Sequence, residues 1–216
     1  MESTVVIIGV IAATCVAIFG VVAIVYLLFS DNCLPPQPVS RDKNLKASIL
    51  AVIGSGGHTS ELLRLMGHLG SHYEPRYYVM ANTDVMSEEK VHKLEKDANI
   101  MYRIYKIPRS REVKQSWITT VLSTIVASVY ALPLVFKLRP DIILCNGPGT
   151  CIPVCLGGLI LKLFYPLKLV YVESICRVDS MSLSGQILYH FADSVIVQWP
   201  QLQKKYPKSL YMGRIV

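Results

Sequence analysis

Charge is scarce in this chain, and its distribution is uneven. Charged residues make up 17% of the sequence and hydrophobic residues 52%. That balance excludes a disordered chain and points to apolar residues beyond those of a soluble core. From Ser3 to Ser30 there is no charge at all, and no Lys or Arg precedes that stretch. A cleaved signal peptide wants basic residues first, a shorter apolar core and a small-residue cleavage site, so it is the weaker reading here. The six cysteines form no CxxC and no paired Cys/His spacing. This excludes the common zinc and dithiol motifs and leaves reduced, mostly buried thiols as the expectation. No nucleic-acid motif and no aromatic-basic interleaving accompany the net charge of +7. There is no internal repeat and no low-complexity tract.

The uncharged run is long enough for a bilayer span, which takes about 20 helical residues. The sequence therefore predicts a transmembrane anchor at residues 4–29. Arg41, Lys43 and Lys46 lie beyond it. Basic residues stay in the cytosol, so the main domain is expected on the cytosolic face and the N-terminus in the lumen. Asp31 and the prolines Pro35, Pro36 and Pro38 mark a short, stiff linker over residues 30–46. The only charge before the linker is Glu2, so the whole positive excess belongs to the rest of the chain. Beside a membrane, that excess favours lipid head groups or a phosphorylated substrate over nucleic acid.

Residues 47–216 alternate between strand and helix patterns. Segments 47–53, 76–81, 101–107, 142–145, 168–172, 194–197 and 209–212 read as strands, the first of them, a short apolar run, as a buried parallel strand. Helical spacing marks 59–69, 87–98 and 182–191. The apolar stretch 116–138, broken by Pro133, could be a second span. A helix packed on the sheet, with one face toward the membrane, is the more economical reading. A span would put the two glycine-rich loops of the chain, at 54–59 and 145–150, on opposite sides. The same holds for the apolar stretch 151–164. The alternation predicts a Rossmann-like, doubly wound parallel sheet.

In such sheets ligands bind at the carboxyl ends of the strands, which singles out three loops. The first is Gly54-Ser55-Gly56-Gly57-His58-Thr59, directly after the first strand. Its glycines let backbone approach a ligand, and the helix after it offers free N–H groups and a positive dipole end to phosphate. It is neither the dinucleotide Gly-x-Gly-x-x-Gly nor a P-loop, which needs a Lys. A membrane-tethered nucleotide-dependent oxidoreductase is disfavoured on that ground. His58 stands where a small polar cap is usual, and it suits a phosphate contact or a base near neutral pH. The second loop, Cys145-Asn146-Gly147-Pro148-Gly149-Thr150, opens on the same sheet edge, with Thr150 as a helix cap. At a third strand end, Glu173-Ser174 offers a carboxylate for sugar hydroxyls or acid–base work. The plainer alternative is a helix cap or a surface ion pair. Arg109 and Arg111 lie in a basic segment ahead of Trp117, suited to lipid phosphate at a membrane interface or simply to a solvated loop.

Together these motifs resemble a known family. The first glycine loop, the run Pro108-Arg109-Ser110-Arg111-Glu112-Val113, the second glycine loop, the run Val170-Tyr171-Val172-Glu173-Ser174-Ile175-Cys176-Arg177, and Gln198-Trp199-Pro200 through Gly213-Arg214-Ile215-Val216 carry it. They are similar to the membrane-anchoring, acceptor-side subunits of the eukaryotic UDP-N-acetylglucosamine transferase of N-glycan assembly. The resemblance implies one half of a two-domain GT-B transferase at the endoplasmic reticulum membrane, single-pass, with no cofactor and no metal. It implies a soluble UDP-sugar-binding partner subunit, UDP-N-acetylglucosamine as donor and a dolichyl-diphosphate-linked N-acetylglucosamine acceptor. The chain alone is then expected to be inactive, as one domain's length is too short for both halves. His58 and Glu173 become the catalytic candidates. Gly54, Ser55, Gly56, Gly57, Thr59, Asn146, Gly147, Gly149, Thr150, Ser174, Arg109 and Arg111 become acceptor and diphosphate ligands. The related bacterial transferase that makes lipid II has a Gly-Gly-x-Gly-Gly-His loop near the lipid diphosphate, and Ile53 here replaces its first glycine. A non-catalytic membrane scaffold for the soluble subunit is the competing reading. The apolar end of the chain, residues 211–216, is expected to dock on the partner because nothing in this chain is predicted to pack it.

Overall fold

A computed structural model describes residues 46–216, apart from 113, 114 and 148, and the Trp117 side chain is likewise not described. The predicted anchor and all but the last residue of the predicted linker lie outside the described residues. Within them the chain alternates strand and helix. The elements are β1 (Ile49–Val52), α1 (Gly57–His68), β2 (Arg76–Ala81), α2 (Val85–Ala98), β3 (Tyr102–Ile107), α3 (Trp117–Leu138), β4 (Ile142–Asn146), α4 (Cys151–Leu161), β5 (Lys168–Val172), α5 (Leu183–Leu188), β6 (Ser194–Val197), α6 (Pro200–Lys205) and β7 (Leu210–Tyr211). All seven predicted strands are present. The short helix α6 was not anticipated from the sequence, although Pro200 at its first turn is a standard helix opener.

The strands form one sheet in the order β3-β2-β1-β4-β5-β6-β7, and every neighbouring pair is parallel. This is the doubly wound topology predicted from the alternation. The order reverses between β1 and β4, so the chain leaves both strands on opposite sides of one crevice.

Successive strand residues point to opposite faces, and the core divides accordingly. On one face Ile49, Ala51, Ile53, Tyr78 and Met80 meet Leu62, Leu63 and Met66 of α1 and Val91 of α2. On the other, Leu50, Val52, Val79, Ile143 and Cys145 meet Ala131 and Val135 of α3, Val154 and Cys155 of α4, Leu188 of α5 and Leu202 of α6.

Helix α3 has a narrow buried stripe, with Ala127, Ala131, Leu132 and Val135 turned inward. Ile118, Val121, Leu122, Ile125, Val126, Val129 and Tyr130 are exposed. By length and composition, the segment Ile118–Leu138 is the one helix among the described residues able to cross a membrane, with a mean hydropathy of 1.9. Its N-cap is Ser116, whose hydroxyl accepts from the Thr119 N–H.

The expectation that the chain's apolar end has nothing to pack against needs correction. Ile215 packs on the α1/α2-side core, and its N–H donates to Gln198 Oε1 at 2.9 Å. The Arg214 guanidinium stacks 4.3 Å above the Trp199 ring. Leu210, Tyr211 and Met212 just before them are exposed.

Candidate functional site

The first glycine loop leaves β1 and turns at Gly56, whose φ of 66° is left-handed and favours glycine. Gly56 is the residue ahead of α1, and no side chain caps that helix end. Its first N–H groups are thus left for another acceptor. Ser55, Gly56 and Gly57 are exposed, whereas Gly54 is buried. Thr59 faces inward. Its hydroxyl donates to the Gly54 carbonyl and lies 2.7 Å from Ser87 Oγ, so it braces the loop from beneath. Ser87 in turn donates to Asp84 Oδ2 at 2.7 Å.

The second loop leaves the end of β4. Gly147 has a φ of 73°, and the His58 ring lies against it so closely that an added Cβ would sit 2.3 Å from Cε1. Contact between the two loops is therefore direct. His58 Nδ1 is 3.0 Å from Asn146 Oδ1. Asn146 Nδ2 donates at 3.0 Å to Glu61 Oε2. Ser174 Oγ donates at 2.8 Å to Glu61 Oε1. His58, Asn146 and Ser174, from three separate loops, are thus joined through Glu61. The sequence reading missed Glu61. A signal existed: it lies three residues after His58 on the same helix face, beside the core residues Leu62 and Leu63.

Thr150 occupies the N-cap of α4, but its side chain makes no capping hydrogen bond, which corrects that expectation. Instead it lines a small polar pocket of about 60 Å³ with Ser55, Asp84, Arg109, Arg111, Gly149, Ile53 and Ala81. The arginines are carried on the loop after β3. Ser123 of α3 ties that loop down by donating to the Ser110 carbonyl at 2.6 Å. A second concavity of about 430 Å³ adjoins it, lined by apolar Val121, Ile125, Ile152, Leu183 and Ile187, with Arg177 and Gly147 also on its wall. Arg111 and Gly149 line both.

Glu173 lies elsewhere. It is fully buried. Its Oε2 accepts from the Ser182 N–H at 2.9 Å and the Ser182 hydroxyl at 3.1 Å, and its Oε1 accepts from the Ser174 N–H at 3.1 Å. Ser182 is the N-cap of α5. Glu173 thus secures the start of α5 and the turn after β5, and it lines neither concavity. Burial raises its pKa, opposed by the hydrogen bonds from Ser182 and Ser174 and by the charge of Arg177. Behind the second loop, Cys145, Cys151 and Cys155 are buried and free. Burial pushes the Cys145 and Cys151 thiols up, which suits inert core thiols. Cys176, by contrast, is exposed.

Two solved structures share this architecture. MurG from Acinetobacter baumannii superposes with a TM-score of 0.56 at 18% identity, covering 78% of this chain and 45% of that one. A UDP-N-acetylglucosamine 2-epimerase from Listeria monocytogenes gives 0.56 at 14% identity, covering 75% and 42%. The chain thus spans less than half of each. Fold and site together define a Rossmann-like, doubly wound domain with a polar crevice at its switch point. Residues 49–215 match the family described as "Oligosaccharide biosynthesis protein Alg14 like", and the chain belongs to that family. Among its relatives, the human UDP-N-acetylglucosamine transferase subunit ALG14 is 48% identical over 95% of this chain and 96% of its own length. The Schizosaccharomyces pombe subunit alg14 is 40% identical over 91% and 95%.

Proposed function

We propose that this chain is the acceptor-side subunit of a membrane-bound UDP-N-acetylglucosamine transferase. It adds the second N-acetylglucosamine to dolichyl-diphosphate-N-acetylglucosamine at the cytosolic face of the endoplasmic reticulum. The observation that carries this reading is the pairing of a polar pocket, lined by Arg109 and Arg111 and by one carboxylate, Asp84, whose oxygens accept from Ser87, with an apolar groove; Arg111 and Gly149 line both. An amphipathic diphosphate lipid matches both. Its diphosphate meets Arg109, Arg111, Gly149, Thr150 and the free N–H groups of α1, and its first isoprenyl units run along Val121, Ile125 and Ile187. The exposed apolar face of α3 suits a lipid surface, and residues 4–29 carry the apolar composition of a membrane anchor. The donor comes from a soluble partner subunit, consistent with the word "subunit" in the relatives' names. We place the partner's docking surface at the exposed Leu210, Tyr211 and Met212 and the tail beyond them. The chain alone is then inactive.

The reaction in this reading is one inverting displacement. The acceptor 4-hydroxyl attacks the anomeric carbon, the bond to UDP breaks, and a base takes the hydroxyl proton. His58 is positioned for that base or for a phosphate contact. Glu173 acts by holding α5 and Ser174 in place. The test is sugar transfer to a short-chain lipid-diphosphate acceptor, with the chain alone and with the soluble subunit added. Activity in the mixture alone supports the split transferase. No transfer by a complex shown to assemble would overturn it. Full activity after Arg111→Ala and His58→Ala would instead leave a membrane scaffold.

Gly147→Ala gives a sharper readout. The left-handed φ costs a non-glycine residue about 1–2 kcal/mol, and the new Cβ pushes the His58 ring off Asn146. Turnover by the assembled complex is expected to fall on the order of tenfold or more, with partner binding kept. Unchanged turnover would show that the His58 position is immaterial.

A further inference from the structure

We infer that Glu61 is a positioning residue that fixes which nitrogen of His58 carries the proton, with Asn146 as the intermediary. This inference rests on the proposed role of His58 as a base and names how that base is held ready. A carboxylate only accepts hydrogen bonds, and both partners of Glu61 are donors: the Ser174 hydroxyl and the Asn146 amide nitrogen. Glu61 therefore dictates that the NH₂ of Asn146 faces it. The amide oxygen is then left facing His58 Nδ1 at 3.0 Å. An oxygen there only accepts, so Nδ1 must carry the hydrogen. In the neutral ring Nε2 then holds the lone pair, and no hydrogen bond occupies Nε2 among the described residues.

Burial supports a purpose for this chain of contacts. Asn146, Glu61 and Ser174 are 0%, 8% and 4% exposed. A carboxylate at that depth is costly unless its lone pairs are met, and an apolar residue would pack beside Leu62 and Leu63 at lower cost. Without Glu61 the Asn146 amide is free to turn. Its NH₂ would then face Nδ1, the ring proton would move to Nε2, and the base would be lost.

A double-mutant cycle in the assembled two-subunit complex tests this. Glu61→Leu is expected to lower kcat on the order of tenfold or more, with both KM values nearly unchanged. In a His58→Ala background the same change should cost little further, because Glu61 acts through that ring. Multiplying effects would mean that Glu61 acts on its own, and an unchanged kcat for Glu61→Leu would mean that it does not act; either result overturns the inference. If His58→Ala alone has no effect, the base reading fails first, and that arm shows it separately. Should Glu61→Leu not fold, exchanging the two groups serves instead. Asn146→Asp alone sets two carboxylates side by side and is expected to slow turnover. Adding Glu61→Gln restores every donor–acceptor pair and should recover it, and no recovery overturns the proposal.

Discussion

Replacing His58 by Ala lowers kcat of the assembled complex on the order of a hundredfold or more, with the KM for the lipid acceptor nearly unmoved. That is the expected result for a group that takes a proton in the transition state, where general-base catalysis contributes about 10²–10⁴-fold. The alternative role predicts a different pattern. A hydrogen bond from the ring to a charged phosphate contributes about 1.5–3 kcal/mol, and it is made in the ground state as well as the transition state. Its loss would emerge mainly as a raised acceptor KM, with kcat retained. His58→Asn separates the two further, because the amide still donates to a phosphate but does not serve as a base near neutral pH. A large kcat loss in both variants identifies the base. A KM effect in Ala that Asn repairs identifies the phosphate contact. Unchanged turnover in both would assign the base to the soluble partner.

Where local pattern decides structure, the sequence was readable. Seven predicted strands became seven parallel strands, and the central pair, β1 and β4, reads as continuous apolar runs because both of its faces are covered. The two glycine loops were found because each sits at a strand end, and the switch point brings both to one crevice. What escaped were contacts made across the fold. Glu61 is one charged residue on an otherwise ordinary amphipathic helix. Its importance arises only when β4 and β5 bring Asn146 and Ser174 against it. Glu173 shows the converse. A carboxylate at a strand end looked like chemistry, and nothing in the sequence tells whether α5 will fold back to bury it. Residues 182–191 read as a helix, and the structure starts it at Leu183 with Ser182 as its cap, but the pattern does not tell that Ser182 also meets Glu173. The chain's tail was likewise judged by its apolar composition, and its contacts with Gln198 and Trp199 depend on the residues after β7 returning to the end of β6.

The same limit hid a buried polar cluster around Arg76 and Glu95, and it carries the second prediction. Arg76→Met is expected to destabilise the domain by about 3–5 kcal/mol. Arg76 opens β2 and is fully buried, with its side chain 1% exposed against 0% for its partner Glu95. Its guanidinium donates to Glu95 Oε1 at 3.0 Å, to the Met66 carbonyl at 3.1 Å, to the Leu69 carbonyl at 2.5 Å and to the Tyr73 carbonyl at 3.2 Å. It thereby satisfies carbonyls at the C-terminal end of α1, where a cation is also favoured by the helix dipole. The Tyr78 hydroxyl donates to the same carboxylate. Burial, and then that hydrogen bond, drive the Tyr78 phenol well above its usual range. Methionine fills much of the arginine stem's volume, so packing is largely kept, while Glu95 is left charged and without its cation. For a domain of this size each kcal/mol shifts the melting midpoint by about 2–4 °C, so a fall of about 10 °C is expected in thermal melts of the complex. Adding Glu95→Leu removes the stranded carboxylate and should return part of the loss, the remainder being the Met66, Leu69 and Tyr73 carbonyls and the Tyr78 hydroxyl left without their partners. If the double variant melts as low as the single one, the carbonyl contacts of Arg76 hold the end of α1, and the ion pair contributes little.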